Sequence, residues 1–409
     1  MKFTEARDVV LKHGELCDHC LGRLVSLAFK GNPVEQVGAA LRAAKKDADI
    51  KKLLKKKLKI REKKCVLCGG LFAKNKGIIS AVLKKMKEQE FSTFLMGCRL
   101  PEGVQAHEES LWALVGAENA EPIKREINRT LGKALEKKTK KRVDFNNPDV
   151  TFVVDYEEGI VSANINSLFI FGKYRKLMRG IPQTKWPCRE CHGRGCNRCG
   201  GTGKMYKETV EELIAEKAIN SAKAAGSKFH GKGREDIDAL MLGSGRPFVL
   251  ELVSPKKRSI DLKKLERSIN KFAMGKVEVR GLRFSSMSEV REIKASESGK
   301  VYECVVECDN VTSSDLKKLE NAFAGARLSQ RTPTRVAHRR ADRVRMKVIK
   351  SVKAELISRS RFRAVVEASS GTYIKELVSG DNSRTKPSFA EVLGKPCVCI
   401  ELNVVEVKE

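Results

Sequence analysis

The stretch Gly231-Lys-Gly-Arg-Glu-Asp-Ile-Asp-Ala-Leu-Met-Leu-Gly-Ser-Gly-Arg-Pro-Phe-Val-Leu-Glu251 puts a cluster of acids and glycines directly ahead of an apolar strand. Gly233, Gly243 and Gly245 permit tight turns, Arg234 and Arg246 bring positive charge, and Asp236 lies between them as a short carboxylate held on a loop. Read alone, this is a surface hairpin with solvated charges. Its neighbours decide whether it is more.

Working towards the N-terminus, Thr209-Val-Glu-Glu212 is a capping box, with Val210, Leu213, Ile214 and Ala218 on one helical face leading to the loop. Before it, Cys188-Arg-Glu-Cys-His-Gly-Arg-Gly-Cys-Asn-Arg-Cys199 sets two Cys-x-x-Cys pairs close together, as two turns around one zinc ion require. Cys17-Asp-His-Cys20 and Cys65-Val-Leu-Cys68 form a second set across a longer gap; His19 lies inside the first knuckle and is expected to point away from the metal. Of thirteen cysteines, an odd number, eight fall in these pairs, so the spacing indicates metal before disulfide.

The gap holds Lys51-Lys-Leu-Leu-Lys-Lys-Lys-Leu-Lys-Ile-Arg-Glu-Lys-Lys64, nine basic residues in fourteen, with Leu53, Leu54 and Leu58 predicting a buried helical stripe under a cationic face. A helix is predicted over 123–135, followed by a strand pair at 150–155 and 160–165. Lys173, Arg175, Lys176 and Arg179 surround Tyr174, a cluster suited to a phosphate and a base.

Towards the C-terminus, Ser259-Ile-Asp-Leu-Lys-Lys-Leu-Glu266 and Ser313-Ser-Asp-Leu-Lys-Lys-Leu-Glu320 are nearly the same words, each after a strand pattern. They suggest two pseudo-symmetric halves, although two capped helices can also look alike by convergence. Arg335, Arg339 and Arg340 stand in a basic loop over 330–347, an arm for gripping phosphates. An edge-like strand is predicted over 398–405.

The formal charge of +30, from 81 Lys plus Arg against 51 Asp plus Glu, calls for an anionic partner, nucleic acid first. No apolar run is long enough to span a bilayer and Met1-Lys-Phe-Thr-Glu-Ala-Arg has no signal-peptide core, so a cytoplasmic protein without membrane contact is expected.

Three separated motifs now agree in order. Gly233-Arg-Glu-Asp236 resembles the Gly-Arg-x-Asp of pseudouridine synthases, Lys300-Val-Tyr302 their Lys-x-Tyr strand, and Gly371-Thr-Tyr-Ile-Lys375 the motif of synthases acting on the TΨC loop of tRNA. With the cysteine pairs, nearly the whole chain resembles the tenth pseudouridine synthase family in its archaeal form. The resemblance implies an α+β fold: a zinc-binding segment with its basic insertion at 1–70, a THUMP-like RNA-binding domain at 71–183, a zinc knuckle at 184–206, and a catalytic domain at 207–409 with a mixed antiparallel sheet, flanking helices and two pseudo-symmetric halves. It implies isomerisation of uridine fifty-five, and of fifty-four as well, in tRNA by a monomer. No catalytic cofactor is needed, and two structural zinc ions are expected.

The resemblance also assigns roles. Asp236 is the nucleophile rather than Asp238, Tyr302 stacks on the uracil and helps remove the C5 proton, and Tyr373 contacts substrate. Lys375 holds the aspartate ionised and Leu402 forms the apolar wall. Lys173, Arg175, Arg335, Arg339 and Arg340 are expected on the RNA. The chemistry asks for the same parts: a carboxylate kept charged by a nearby cation, a flat platform and wall for a detached base, and basic arms that hold an extruded nucleotide. A catalytically silent zinc-dependent tRNA-binding protein meets the charge and the knuckles but not the ordered motifs. The knuckle also resembles half of the zinc region of DnaJ chaperones, but the other half and a J-domain signature are missing.

Overall fold

The computed structural model describes residues 1–408 apart from Lys63 and Lys64, and the side chains of His338 and Arg339 are also outside what it describes. Part of the expected basic run and the expected contact at Arg339 therefore lie outside the described residues. The chain forms two compact units, Met1–Ser167 with Ser254–Arg258, and Leu168–Val253 with Ser259–Glu409.

In the first unit, strands β1 (Thr93–Arg99), β2 (Arg142–Val143), β3 (Val150–Asp155) and β4 (Val161–Ile165) form a sheet in the order β2-β1-β3-β4. The hairpin anticipated from alternation forms with Val150 opposite Ile165. Helix Ile123–Thr139 buries Ile127, Leu131 and Leu135, four residues apart and so on one face. The basic insertion departs from expectation. Its helix, Asp47–Leu53, stops three residues into the basic run, and Leu53, Leu54 and Leu58 are only half-buried. Lysines at 51 and 55, and at 52 and 56, would lie one turn apart on a longer helix and repel one another.

The second unit is built on ten strands: β5 (Leu168–Lys176), β6 (Gly226–Gly231), β7 (Leu240–Val253), β8 (Val277–Ser285), β9 (Lys300–Glu307), β10 (Arg327–Arg331), β11 (Val344–Ser358), β12 (Arg361–Ala368), β13 (Thr385–Lys386) and β14 (Val398–Val407). Their order is β13-β10-β11-β12-β9-β14-β7-β5-β8, with β6 paired to β7. Two expectations change here. β5 pairs with β7 and β8, so the units part at Ser167 rather than at 183. β14 is central rather than an edge, antiparallel to β9 and briefly parallel to β7.

The two similar words both become helices, read in different registers. Asp261 caps helix Leu262–Phe272 by accepting from the Lys264 amide, whereas the matching Asp315 lies inside helix Ser313–Phe323, whose cap is Thr312. Leu265 and Leu319 occupy the same place in the words and both are buried. The amphipathic pattern, not the cap, is the shared feature.

Candidate active site and metal centres

Asp236 rides on the loop between β6 and β7, and the loop's shape is imposed from below. Gly233 has φ +77°, and at Gly243, φ +58°, a Cβ would lie 1.9 Å from the Val405 carbonyl oxygen of β14, so a side chain is excluded there. Between these glycines the backbone oxygens are held by cations and amides. Lys176, wholly buried, donates from Nζ to the carbonyls of Asp236 (3.1 Å), Ile237 (3.0 Å) and Ile181 (2.9 Å). Arg179 donates to the carbonyls of Asp238 (2.6 Å) and Leu402 (2.8 Å), and Gln183 donates to that of Gly233 (3.0 Å).

Beside Asp236 in the chain, Glu235 is buried, with Arg246 Nε at 2.8 Å and the Tyr174 hydroxyl donating at 2.8–2.9 Å. Arg246 has no exposure, so removing Glu235 would strand an uncompensated charge at about 3–5 kcal/mol.

Within the cluster around Tyr174, the tyrosine and Lys176 turn inward, while Lys173 and Arg175 stay partly exposed. Arg175 pairs with Glu278 at 3.0 Å, and Lys173 is half-buried on β5 opposite Pro247 and Arg280. Neither lines the cavity over Asp236.

That cavity, of about 390 Å³, gathers Asp236, Tyr302, Arg335, Arg340, Tyr373 and Leu402, residues far apart in the chain. Arg335 clasps Asp236 with both terminal nitrogens, Nη1 to Oδ1 at 3.1 Å and Nη2 to Oδ2 at 3.0 Å, while its Nε donates to Glu376 at 2.7 Å. The resemblance assigned this role to Lys375. Instead, Lys375 forms an ion pair with Asp238 and is not among the cavity's lining residues. Burial raises the Asp238 carboxyl and the Lys375 ammonium more than offsets this, so Asp238 titrates below the usual carboxylate range. Which cation meets which carboxylate is set by the turn Thr334–Arg339, which brings Arg335 over the loop.

Tyr302 projects from β9 and is 8% exposed; burial, helped by the charge of Asp236, pushes its phenol up to about 12, so it is a neutral hydroxyl at working pH. Tyr373 is fixed through its backbone, its amide donating to Gln330 Oε1 at 2.8 Å and its carbonyl accepting from Gln330 Nε2 at 3.0 Å. Its hydroxyl accepts from Arg340 at 3.1 Å. Leu402 reaches the cavity from β14, opposite Cys304 on β9.

The sequence reading assigned no site role to Glu235, Arg246 or Glu376, placed Lys176 on a phosphate rather than on the loop carbonyls, and quoted Lys300 only as part of the Lys-x-Tyr motif. Lys300 had a usable signal, since it lies two residues before Tyr302 on an alternating strand and so shares its face.

Both cysteine sets close into compact donor clusters: Cys17, Cys20, Cys65 and Cys68 in the first unit, Cys188, Cys191, Cys196 and Cys199 in the second. A tetrahedral site with metal–sulfur bonds of about 2.3 Å has sulfurs about 3.8 Å apart. The Sγ separations fit, at 3.7 Å for Cys17–Cys68 and 3.8 Å for Cys188–Cys196, Cys191–Cys199 and Cys196–Cys199. Amides of Gly195, Cys196 and Gly203 point at the sulfurs of Cys191 and Cys199, as thiolates favour. In the first set Asp18 bridges the long gap, accepting from the Arg61 amide (2.7 Å) and from Arg42 Nε (2.8 Å). His19 lies 2.6 Å from Glu126 and stacks on Phe72.

Two family models and three relatives match the chain. The family model described as "Pus10, C-terminal" matches residues 169–408, and the one described as "Pus10 THUMP domain, archaeal" matches residues 78–155. A protein of Methanothermobacter marburgensis named tRNA pseudouridine synthase Pus10 is 43% identical over 100% of both chains. Proteins of the same name are 40% identical in Methanothrix thermoacetophila, over 97% of this chain and 93% of that one, and 38% identical in Methanocaldococcus jannaschii, over 98% and 93%.

Proposed function

Since the chain belongs to the Pus10 family of tRNA pseudouridine synthases, and is an isomerase, we propose that it converts uridine fifty-five of the TΨC loop to pseudouridine, and uridine fifty-four as well, with Asp236 as nucleophile. The observation that carries this is the two-pronged Arg335 clasp on Asp236, at the mouth of a cavity that also holds Tyr302, Tyr373 and Leu402. The guanidinium stays protonated at any working pH, and its two contacts hold the carboxylate in position.

The extruded uridine enters with its base beside the Tyr302 ring and against Leu402, which leave the base free to turn once detached. Arg340 and Tyr373 hold the adjoining backbone. The organic reaction needs no cofactor. Each four-cysteine cluster holds a zinc ion that braces its segment, and no step of the isomerisation passes through either. No helix among the described residues is long and apolar enough to cross a membrane. The protein works on tRNA in the cytoplasm as a monomer.

The test is pseudouridine mapping on an unmodified tRNA transcript incubated with wild-type protein and with Asp236→Ala. Wild type is expected to mark the TΨC loop and the variant to bind tRNA without marking it. Full modification by the variant overturns the assignment of the nucleophile.

A further inference from the structure

At the start of β9, Lys300 is 7% exposed and lines the same cavity as Asp236 and Tyr302. It lies on the Tyr302 face of the strand, with its Nζ near Gly233 of the catalytic loop. Among the described residues its ammonium has no hydrogen bond and no ion pair. The charged groups around it make this more costly. Arg246 from β7, Lys232 from the loop and Lys347 from β11 are all cations, while β12 and β14 flank it with Ala368 and Val407. Asp236 is clasped by Arg335, and Glu235 is taken by Arg246 and Tyr174. A buried cation without a counter-ion opposes folding, so its retention here calls for a partner that arrives from outside.

The isomerisation creates such a partner. When the bond from C1′ to N1 breaks, its electron pair stays on the uracil and spreads to the ring's carbonyl oxygens, while C1′ bonds to an Asp236 oxygen. The turned base then bonds through C5 to C1′ and expels the carboxylate. C5 gives up its proton and N1 takes one up, so the product has the formula of the substrate.

We propose that Lys300 is a catalytic residue of this reaction, its ammonium donating to a carbonyl oxygen of the uracil and stabilising the negative charge that the base carries while detached. The assignment rests on the isomerase reading of the Asp236 cavity. A preplaced cation on the developing charge speeds chemistry because it is worth more to the transition state than to the neutral bound base. A phosphate is the poorer occupant for this position, because the Asp236 carboxylate lines the same cavity and repels an anion, whereas a flat neutral base meets no such repulsion. Burial and the neighbouring cations pull the Lys300 ammonium down to about 8, which makes it a stronger donor yet still protonated at neutral pH.

The experiment compares single-turnover rates and tRNA affinities of wild type, Lys300→Met and Lys300→Arg on an unmodified transcript, with Asp236→Ala as the reference for lost chemistry. Lys300→Met is expected to slow the chemical step about 100-fold, as loss of one charge-stabilising donor does, with tRNA affinity within about 3-fold. Lys300→Arg, which keeps the cation, is expected to recover to within about 10-fold of wild type. The wild-type rate should decline above about pH 8 as the ammonium deprotonates, and Lys300→Arg should lack that decline. Because an unpaired buried charge is removed, Lys300→Met should melt no lower than wild type. A Lys300→Met rate within about 3-fold of wild type, or a loss lying wholly in affinity, overturns the proposal. So does a lowered melting temperature with unaltered chemistry. If the wild-type arm makes no pseudouridine, the isomerase reading itself fails, an outcome distinct from a Lys300→Met chain that turns over at the normal rate.

Discussion

Arg335 and Lys375 are both cations beside a carboxylate, yet their surroundings predict different consequences of losing them. Arg335 meets Asp236 with two parallel contacts and is itself steadied by Glu376, whose side chain is 6% exposed. Lys375 meets Asp238 with one contact, on a carboxylate that is 63% exposed and therefore screened by water. Arg335→Gln is expected to slow single-turnover pseudouridine formation about 100-fold, since the carboxylate loses both its charge partner and its orientation. Lys375→Gln is expected to cost less than about tenfold. The two rates measured side by side check the assignment, and the reverse order would return Lys375 to the role that the resemblance gave it.

At the scale of elements, the catalytic loop depends on β5 and the segment after it. Lys176→Met keeps the bulk of the side chain but leaves the Ile181 carbonyl without its donor and takes one of two donors from the carbonyls of Asp236 and Ile237, which keep the Ala239 and Gly180 amides, so thermal or urea unfolding should show a loss of about 1–3 kcal/mol. The rate should fall with it, because the backbone of Asp236 is one of the three. The knuckle is a second dependent element. Just ahead of the Pro187–Lys204 bridge that closes it lies Trp186, whose ring is 4.9 Å from the guanidinium of Arg234 in the Asp236 loop. Wild type is expected to hold two zinc ions per chain by metal analysis and Cys191→Ser one, with slower turnover in the variant as the seat of Arg234 loosens. Retention of two ions by Cys191→Ser would remove the second-unit site.

Much of this was legible along the chain because the signals are short-range: alternation for β3 and β4, cysteine spacing for the clusters, and motif order for the convergence of Asp236, Tyr302 and Tyr373. What was not legible depends on long-range pairing. The edge-like pattern of β14 does not reveal that β9 and β7 close on both its sides. The basic cluster around Tyr174 carries no sign that its lysine and arginine side chains meet backbone carbonyls more than fifty residues away. Which of Arg335 and Lys375 meets Asp236 depends on where the turn Thr334–Arg339 folds, which spacing along the chain does not resolve.

For the whole molecule the governing quantity is the net charge of +30, which the ion pairs of the folded chain leave unbalanced. Surplus of that size opposes compaction by self-repulsion and draws a polyanion, so tRNA binding should be driven in large part by release of condensed counter-ions. Each phosphate neutralised contributes about −0.7 to −0.9 to the slope of log affinity against log salt; a grip of five or more contacts predicts a slope of about −4 or steeper. Arg340 offers a finer check, being exposed at the cavity lip with its guanidinium on the Tyr373 hydroxyl. If it also takes a phosphate, Arg340→Gln should weaken binding and flatten the slope by somewhat under one, whereas Asp236→Ala should leave the slope unchanged. Titrations of the full chain with tRNA at several salt concentrations make the comparison, and a slope near zero would leave the surplus charge with no part in binding.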